Sequence, residues 1–371
     1  MSKQFKDGEV NKLGKFTEKE IYEIPDKLQI LIESYETIVK IARNIIDFNT
    51  KHIYLLGAGS SYHAGFAISY MFNRISKIPT YCEYSMEFQY LIEPILDSRD
   101  CIIAISQSGE TKDTIESIKL AKDSKKCLII AITNNDESQL AKLCDHSIFL
   151  NCGEEKSVLA TKTYINQLAS LSILALEIAI IKKSVTKEDY KIIWDELKQI
   201  PTKIKNTLPK LHNSIKQHSN YFKFAEFCFI LGGGPDYATA KEASLKLKEG
   251  ARIFGQAYST AEFPHGPITL ADSKAWILAI IPHENDQRKK NLLNLLARIK
   301  ERKATILGVF EGDLSETIPE QLDFGIAVPN TINDLQPLVM ILAVQLLTLE
   351  IARIKGINSD SPKFLTKVSG I

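Results

Sequence analysis

The sequence predicts an α/β protein built from two tandem doubly wound parallel-sheet domains with helices on both faces. Three observations lead there. The first is an internal repeat. LLGAGSSYHA (55–64) aligns with ILGGGPDYAT (230–239) at an offset of 175, which also places CIIAIS (101–106) on WILAII (276–281). A nearly equal offset places LEIAIIK (176–182) on LEIARIK (349–355), and ordered matches at near-constant spacing indicate duplication. The second is a set of short continuous apolar runs. HIYLLG, CIIAIS, CLIIAIT and HSIFLN fall in the first copy, and FCFILG, AWILAII, TILGVF and FGIAVP in the second. Helix-length polar segments separate them, as expected of parallel strands covered on both sides. The third is that the first run of each copy ends in a glycine turn poised to open a helix, the signature of a doubly wound sheet.

The elements follow in order. Residues 1–48 are a helical lead-in, where Thr17 and Glu20 have the spacing of a capping box. Residues 49–183 form the first domain, 184–222 a polar helical connector, 223–355 the second domain, and 356–371 a polar tail. A chain of 371 residues exceeds one ordinary core, consistent with that division. The apolar stretches 164–183 and 337–355 are interrupted by Asn166, Gln167 and Glu177, and by Gln345, Glu350 and Arg353. They read as buried helices rather than membrane spans.

Composition narrows the function. Apolar residues make up 44% and charged residues 25%, a soluble globular profile. Forty-six basic residues against 45 acidic ones give a net charge of +1, so no broad positive field exists to attract nucleic acid or an anionic membrane. A local anion site needs only a few aimed donors and stays open. Cys82, Cys101, Cys127, Cys144, Cys152 and Cys228 form no C-x-x-C pair and have no histidine cluster beside them. They read as core residues in a reducing compartment, without a disulfide framework or zinc site. The N-terminal stretch has no apolar signal segment, and the expected location is cytoplasmic.

Ligands of doubly wound sheets bind outside the carboxyl ends of the strands, which selects the loops to read. GAGSSYHAG (57–65) is a glycine turn into a helix, but Tyr62 stands where a dinucleotide fingerprint needs its third glycine. Ser60 and Ser61 supply hydroxyls suited to a phosphate or a sugar. SQSGETKDT (106–114) crowds Ser106, Gln107, Ser108, Thr111 and Thr114 at the end of the second strand, with Gly109 permitting a tight turn. Neutral donors beside a helix N-terminus fit a phosphate monoester, and the plainer alternative is an ordinary capped helix. GEEKSVLATKTY (153–164) is ambiguous alone, since Thr161 serves equally as a helix cap. In KEASLKLKEG (241–250), Glu242, Lys246 and Glu249 share one helix face, which a solvated salt-bridge ladder would also explain. His265, between Pro264 and Gly266, is the histidine best placed for chemistry. His52, His146, His212 and His218 read as surface or strand-edge residues, His63 packs or caps, and His283 has no assigned role.

GSSYHAG, SQSGET, the ATK segment, ASLKLKE, HGP and SPKFLTKV occur in the order found in sugar isomerase (SIS) domain proteins, and the resemblance spans nearly the whole chain. It is closest to the isomerase half of glucosamine-6-phosphate synthases and to stand-alone deaminases or isomerases of phosphorylated amino sugars. The resemblance implies that Ser61, Ser106, Gln107, Ser108 and Thr111 hold the sugar phosphate, with Ser60, Val158 and Ala160 also against the substrate. It makes Glu249 the base carrying a proton between carbons 1 and 2. Glu242 and Lys246 support it, and His265 assists ring opening from the neighbouring subunit of a homodimer. Lys367 forms a Schiff base with the open-chain ketose or neutralises charge beside it. Such chemistry suits the residue types: one carboxylate accepts and returns the proton, and a lysine stabilises developing charge or condenses with a carbonyl. No metal or other cofactor is implied.

The expected function is interconversion of glucosamine-6-phosphate with fructose-6-phosphate and ammonia, with the deaminating direction expected. The alternatives are the isomerase module of a glutamine–fructose-6-phosphate aminotransferase, a fructosamine-phosphate deglycase or other aldose–ketose isomerase, and a non-catalytic sugar-phosphate sensor. Only about 50 residues precede the first glycine turn and no cysteine precedes Cys82, so glutamine-dependent amination by this chain alone is not expected. Ala160 stands where the synthases usually have serine, EKSV-x-ATK is closer to the deaminases, and the tail lacks the arginine usual after its proline.

Overall fold

The computed structural model describes residues 13–124, 126–283, 287–312 and 318–367. The chain forms two compact units. Chain order begins with α1 (Lys15–Tyr22), α2 (Ile24–Glu33) and α3 (Glu36–Asp47). The first sheet follows as β1 (Ile53–Gly57), α4 (Ser60–Met71), β2 (Thr80–Tyr84), α5 (Phe88–Leu91), β3 (Cys101–Ile105), α6 (Lys112–Ser124), β4 (Leu128–Thr133), α7 (Gln139–Leu143) and β5 (His146–Phe149). Helices α8 (Lys162–Ile181) and α9 (Lys187–Ser219) lead to the second sheet. It comprises β6 (Phe227–Gly232), α10 (Pro235–Ala251), β7 (Phe254–Ser259), β8 (Trp276–Ile280), α11 (Gln287–Lys300), β9 (Thr305–Glu311) and β10 (Phe324–Val328), and α12 (Gln336–Ile354) closes it.

The β1–β5 unit holds residues 26–155, 162–201 and 367. Its sheet runs β2-β1-β3-β4-β5, every pair parallel. IYLLG, CIIAI and LIIAIT are buried at every position, because helices cover both faces and leave no polar side to alternate. The β6–β10 unit holds residues 13–25, 156–161 and 202–366. Its order, β7-β6-β8-β9-β10, is the same topology, which gives the repeat its structural meaning: the two copies are one fold used twice.

The eight apolar runs all become strands. Each sheet has a fifth strand that sequence reading missed, β2 (TYCEY) and β7 (FGQAYS). Both are edge strands with partly exposed positions, so neither carries the continuous apolar run that marks central strands.

The capping box is a correction. Thr17 and Glu20 lie inside α1, whose N-cap position is Gly14 and makes no side-chain cap bond. Asp360 takes that task instead, accepting the N–H groups of Phe16 (3.0 Å) and Thr17 (2.7 Å). A tertiary partner outcompetes the local motif for the helix's unpaired donors.

His212 also differs from its surface reading. It is buried, with Nε2 2.8 Å from Glu350 Oε1 and Nδ1 3.0 Å from the Tyr22 hydroxyl. Arg353 bridges the same Glu350 (2.7 Å) to Glu18 (2.6 Å), fastening α1 to α12. Lys162–Ile181 and Asn333–Ile354 are long and apolar enough to cross a membrane by length and composition, yet 89% and 100% of their apolar windows are buried inside the protein. They are core helices, as their polar interruptions suggested.

Candidate active site

In a parallel 2-1-3-4-5 sheet the direction of winding reverses between β1 and β3, and ligands of such sheets bind at the carboxyl ends of those strands. The residues there are those after Gly57 and after Ile105, paired across the sheet. Ser60 and Ser61 open α4, and buried Ser61 accepts a hydrogen bond from Gln167 Nε2 of α8 at 2.9 Å. Ser106 Oγ lies 2.8 Å from Thr111 Oγ1 and accepts the Gly109 N–H at 3.1 Å. The Gln107 carbonyl accepts the Asn134 N–H at 3.0 Å, and Ser108 Oγ accepts the Glu110 N–H at 3.1 Å. The loop's charged residue, Glu110, is engaged with α7 through the Gln139 N–H (2.8 Å). What remains is a bowl of hydroxyls and one amide facing the start of α6, whose first N–H groups have no intrahelical acceptors.

Gly109 makes this bowl possible. Its φ is +68°, and a Cβ there would lie 2.2 Å from Ser138 Oγ. Both the left-handed backbone and the close approach require glycine.

Chemistry of another kind collects in the β6–β10 unit. On α10, Lys246 lies between two carboxylates, 2.6 Å from Glu249 Oε2 and 3.5 Å from Glu242 Oε1. Glu242 and Lys246 are buried, while the Glu249 side chain is 19% exposed. This excludes the solvated ladder. Burying such charges costs several kcal/mol per ion before their attraction offsets it, so stability alone does not explain the triad. Glu249 opens onto a cavity of about 560 Å³ that also presents Lys248, Arg252, Lys355 and Lys363. Burial depresses the Lys248 and Lys355 amines below the usual lysine value. The cavity walls include Asn358 and Ser361 of the tail.

Gly250 lets the end of α10 pack closely. A Cβ there would fall 2.5 Å from Thr348 and 2.8 Å from Leu159. Leu159 lies between Val158 and Ala160, and Val158 N–H donates to the Asp360 carbonyl at 3.1 Å. The segment 156–161, contiguous in sequence with the first copy, thus packs in the second unit against the Glu249 end of α10.

Lys367 belongs to the β1–β5 unit. Its Nζ donates to Glu155 Oε2 at 2.7 Å, and Thr163 Oγ1 donates to the same oxygen at 2.8 Å. Val368, at the end of SPKFLTKV, lies outside the described residues. His265 is exposed in the turn after β7, with its N–H bonded to the Glu262 carbonyl (3.0 Å) and its ring outside the Glu249 cavity lining.

Ser61 opens the helix after β1, Ser106, Gln107, Ser108 and Thr111 lie in the loop after the neighbouring β3, and Glu242, Lys246 and Glu249 share one helix face. Sequence reading missed Gln167, Glu155, Thr17 and Asp360. Gln167 was legible as a polar residue in an apolar helix, but nothing local named Ser61 as its partner. Among the described residues, no group of three or more His, Cys, Asp or Glu side chains is placed to hold a metal ion.

Fold and site together define a tandem doubly wound protein of the sugar-isomerase class. The sequence profile of the SIS domain matches residues 48–177 and 225–355, and the chain belongs to the SIS domain family. The glutamine–fructose-6-phosphate aminotransferase [isomerizing] of Bacteroides thetaiotaomicron is 34% identical over 378 residues, covering 98% of this chain and 60% of that protein. The match therefore spans less than two thirds of that relative. The solved C-terminal domain of glucosamine-fructose-6-phosphate aminotransferase from Francisella tularensis superposes with a TM-score of 0.84 at 29% identity, covering 94% of this chain and 98% of that one. A glucosamine-6-phosphate deaminase from Thermotoga maritima shares the fold, with a TM-score of 0.74 at 24% identity over 95% of this chain and 99% of that one.

Proposed function

We propose that this chain catalyses the conversion of glucosamine-6-phosphate and water to fructose-6-phosphate and ammonia. The observation that carries the reading is the buried Glu242–Lys246–Glu249 row ending in a solvent-reached carboxylate at a cavity of substrate size. In this reading Ser61, Ser106, Gln107, Ser108 and Thr111 take the phosphate, with Ser60, Val158 and Ala160 against the sugar. His265, contributed by the partner copy of a homodimer, moves the ring proton during opening. Glu249 then removes the proton on carbon 2 of the open-chain aldehyde and returns it to carbon 1. The resulting ketimine at carbon 2 takes up water and releases ammonia, leaving the ketose. Lys246 holds Glu249 in position and balances its charge, and Lys367 condenses with the open-chain ketose or offsets charge beside it. The setting is cytoplasmic.

Incubating the pure protein with glucosamine-6-phosphate and measuring ammonia and fructose-6-phosphate tests this directly. Folded protein that yields neither product sinks the proposal. A second reading, the isomerase portion of a glutamine–fructose-6-phosphate aminotransferase, is favoured by the 34% identity and by the 60% coverage of that relative. Formation of glucosamine-6-phosphate from fructose-6-phosphate only when a glutaminase is supplied would select it. Turnover of fructosamine phosphates would instead select a deglycase, and tight binding without turnover a sensor.

A further inference from the structure

One threonine hydroxyl joins three distant parts of the β6–β10 unit. Thr17 Oγ1 lies 2.8 Å from Ser157 Oγ, 3.0 Å from Ser359 Oγ and 2.8 Å from Asp360 Oδ1. Thr17, Ser157 and Ser359 are all 0% exposed. A carboxylate oxygen only accepts, so the Thr17 hydroxyl donates to Asp360. A hydroxyl has one proton and two lone pairs, which leaves Thr17 to accept from both serines. Its bonding capacity is full, and every direction is fixed.

One of the segments that meet there, the tail, walls the Glu249 cavity, and another packs against the end of α10 beside it. Ser359 and Asp360 sit between Asn358 and Ser361, both cavity-lining. Gly14 N–H donates to Asn358 Oδ1 at 3.0 Å, adding a second tie from the start of α1. Ser157 leads into Val158 and Leu159, and Leu159 packs against the residue after Glu249. One turn along α1 from Thr17, buried Glu20 accepts the N–H groups of Lys156 and Ser157. Helix α1 thus holds both segments through side chains on a single face, and Thr17 is where they touch each other.

We propose that Thr17 is a positioning residue for the reaction at Glu249: its hydroxyl sets the register of the 358–361 segment, which contributes Asn358 and Ser361 to the cavity, and of the 157–159 segment, which packs against Gly250. The inference rests on the proposed function only for its kinetic consequence, because misplacing groups by about 1 Å costs up to roughly a hundredfold in rate.

The test compares the full chain with Thr17→Val and Thr17→Ser. Valine keeps the shape and removes the oxygen; serine restores the oxygen without the methyl. With glucosamine-6-phosphate, Thr17→Val is expected to lower kcat by roughly tenfold or more while KM stays within about twofold, since the proposed phosphate ligands lie in the other unit. Thr17→Ser should return kcat to within about threefold of the parent. Hydrogen exchange is read in parallel, with Thr17→Val raising exchange in 157–160 and 357–361 and Thr17→Ser leaving it near parent. If Thr17→Val does not fold, Ser359→Ala, which removes one donor to the node, is read the same way. Unchanged kcat in a folded valine variant overturns the proposal, as does serine failing as badly as valine. If the parent itself shows no turnover, the proposed function fails and the node is judged by exchange alone, where an unchanged pattern overturns it.

Discussion

Replacing Gly109 by alanine tests the loop proposed to take the phosphate at its tightest point. The backbone there has a φ of +68°, and the added Cβ would lie 2.2 Å from Ser138 Oγ, 2.4 Å from Ser138 Cβ and 2.8 Å from Thr133 Oγ1. Holding an alanine in the left-handed region costs about 1–2 kcal/mol. The clash adds to this, because Ser138 has no free rotamer to yield. Its hydroxyl donates to the Asn135 carbonyl (2.7 Å) and accepts the Ala141 N–H (3.3 Å), capping α7. Losing such a cap costs about 1 kcal/mol, for a sum of about 2–3 kcal/mol. For a unit of this size that corresponds to a fall of about 4–12 °C in its melting transition, read by calorimetry. The sugar-phosphate KM should rise in the same variant, because Ser108 precedes the displaced residue and Ser106 accepts its N–H. The double variant with Ser138→Gly removes the two nearest of the three clashing atoms, leaving Thr133 Oγ1, and should recover about 1 kcal/mol relative to additivity. An unshifted transition with unchanged KM, or strict additivity in the double variant, would refute the steric reasoning.

Three further outcomes are expected. Glu249→Gln keeps shape and hydrogen bonding but cannot carry a proton, so turnover should fall by roughly 10²–10⁴ while sugar-phosphate binding measured by calorimetry persists; near-parent kcat would remove Glu249 from the role. Ser108→Ala should raise KM by roughly tenfold with little change in kcat, since phosphate contacts hold substrate and transition state alike; a kcat loss at constant KM would contradict this. Burial alone lifts the Glu350 carboxyl, but the His212 hydrogen bond and the Arg353 charge outweigh it and hold it below the usual glutamate value. The stabilisation is therefore complete above the unfolded glutamate value of about 4.3 and is lost as pH falls through the lower folded value. Glu350→Gln should flatten the acid limb of a stability–pH curve, and an identical limb in the variant would show that the cluster carries none of it.

Different parts of the molecule were legible to different degrees. Central strands were readable because burial on both faces writes continuous apolar runs such as LIIAIT. The edge strands TYCEY and FGQAYS escaped because one side meets solvent. The SQSGET loop was readable because its donors are adjacent in sequence and its place follows from strand order. The Glu249 row was only half readable: spacing put three charges on one face, while the depth of Glu242 and Lys246 depends on packing that spacing does not encode. Thr17 and Asp360 were unreadable as partners, being 343 residues apart. The local signal at Thr17 and Glu20 even pointed to a different motif.

The duplication also shows why one rule could not find the whole site. The carboxyl edge of the first sheet carries the loop proposed to take the phosphate, whereas Glu249 sits near the far end of α10, away from the glycine turn after β6. Lys367 is the remaining test of how such pieces act. Its ammonium rests on Glu155, a fully buried carboxylate that also takes the Thr163 hydroxyl. That contact engages Nζ at 2.7 Å, and imine formation needs the nitrogen free to attack the carbonyl. Glu155→Gln retains an acceptor for Lys367 and removes the charge, so it loosens the contact that holds the amine. If Lys367 condenses with the ketose, borohydride reduction in the presence of fructose-6-phosphate should leave a sugar-phosphate adduct on Lys367, found by peptide mass, and should do so faster in Glu155→Gln. An adduct in neither protein would leave the lysine only its electrostatic role, and an adduct that forms more slowly in the variant would mean that Glu155 positions the amine more than it restrains it.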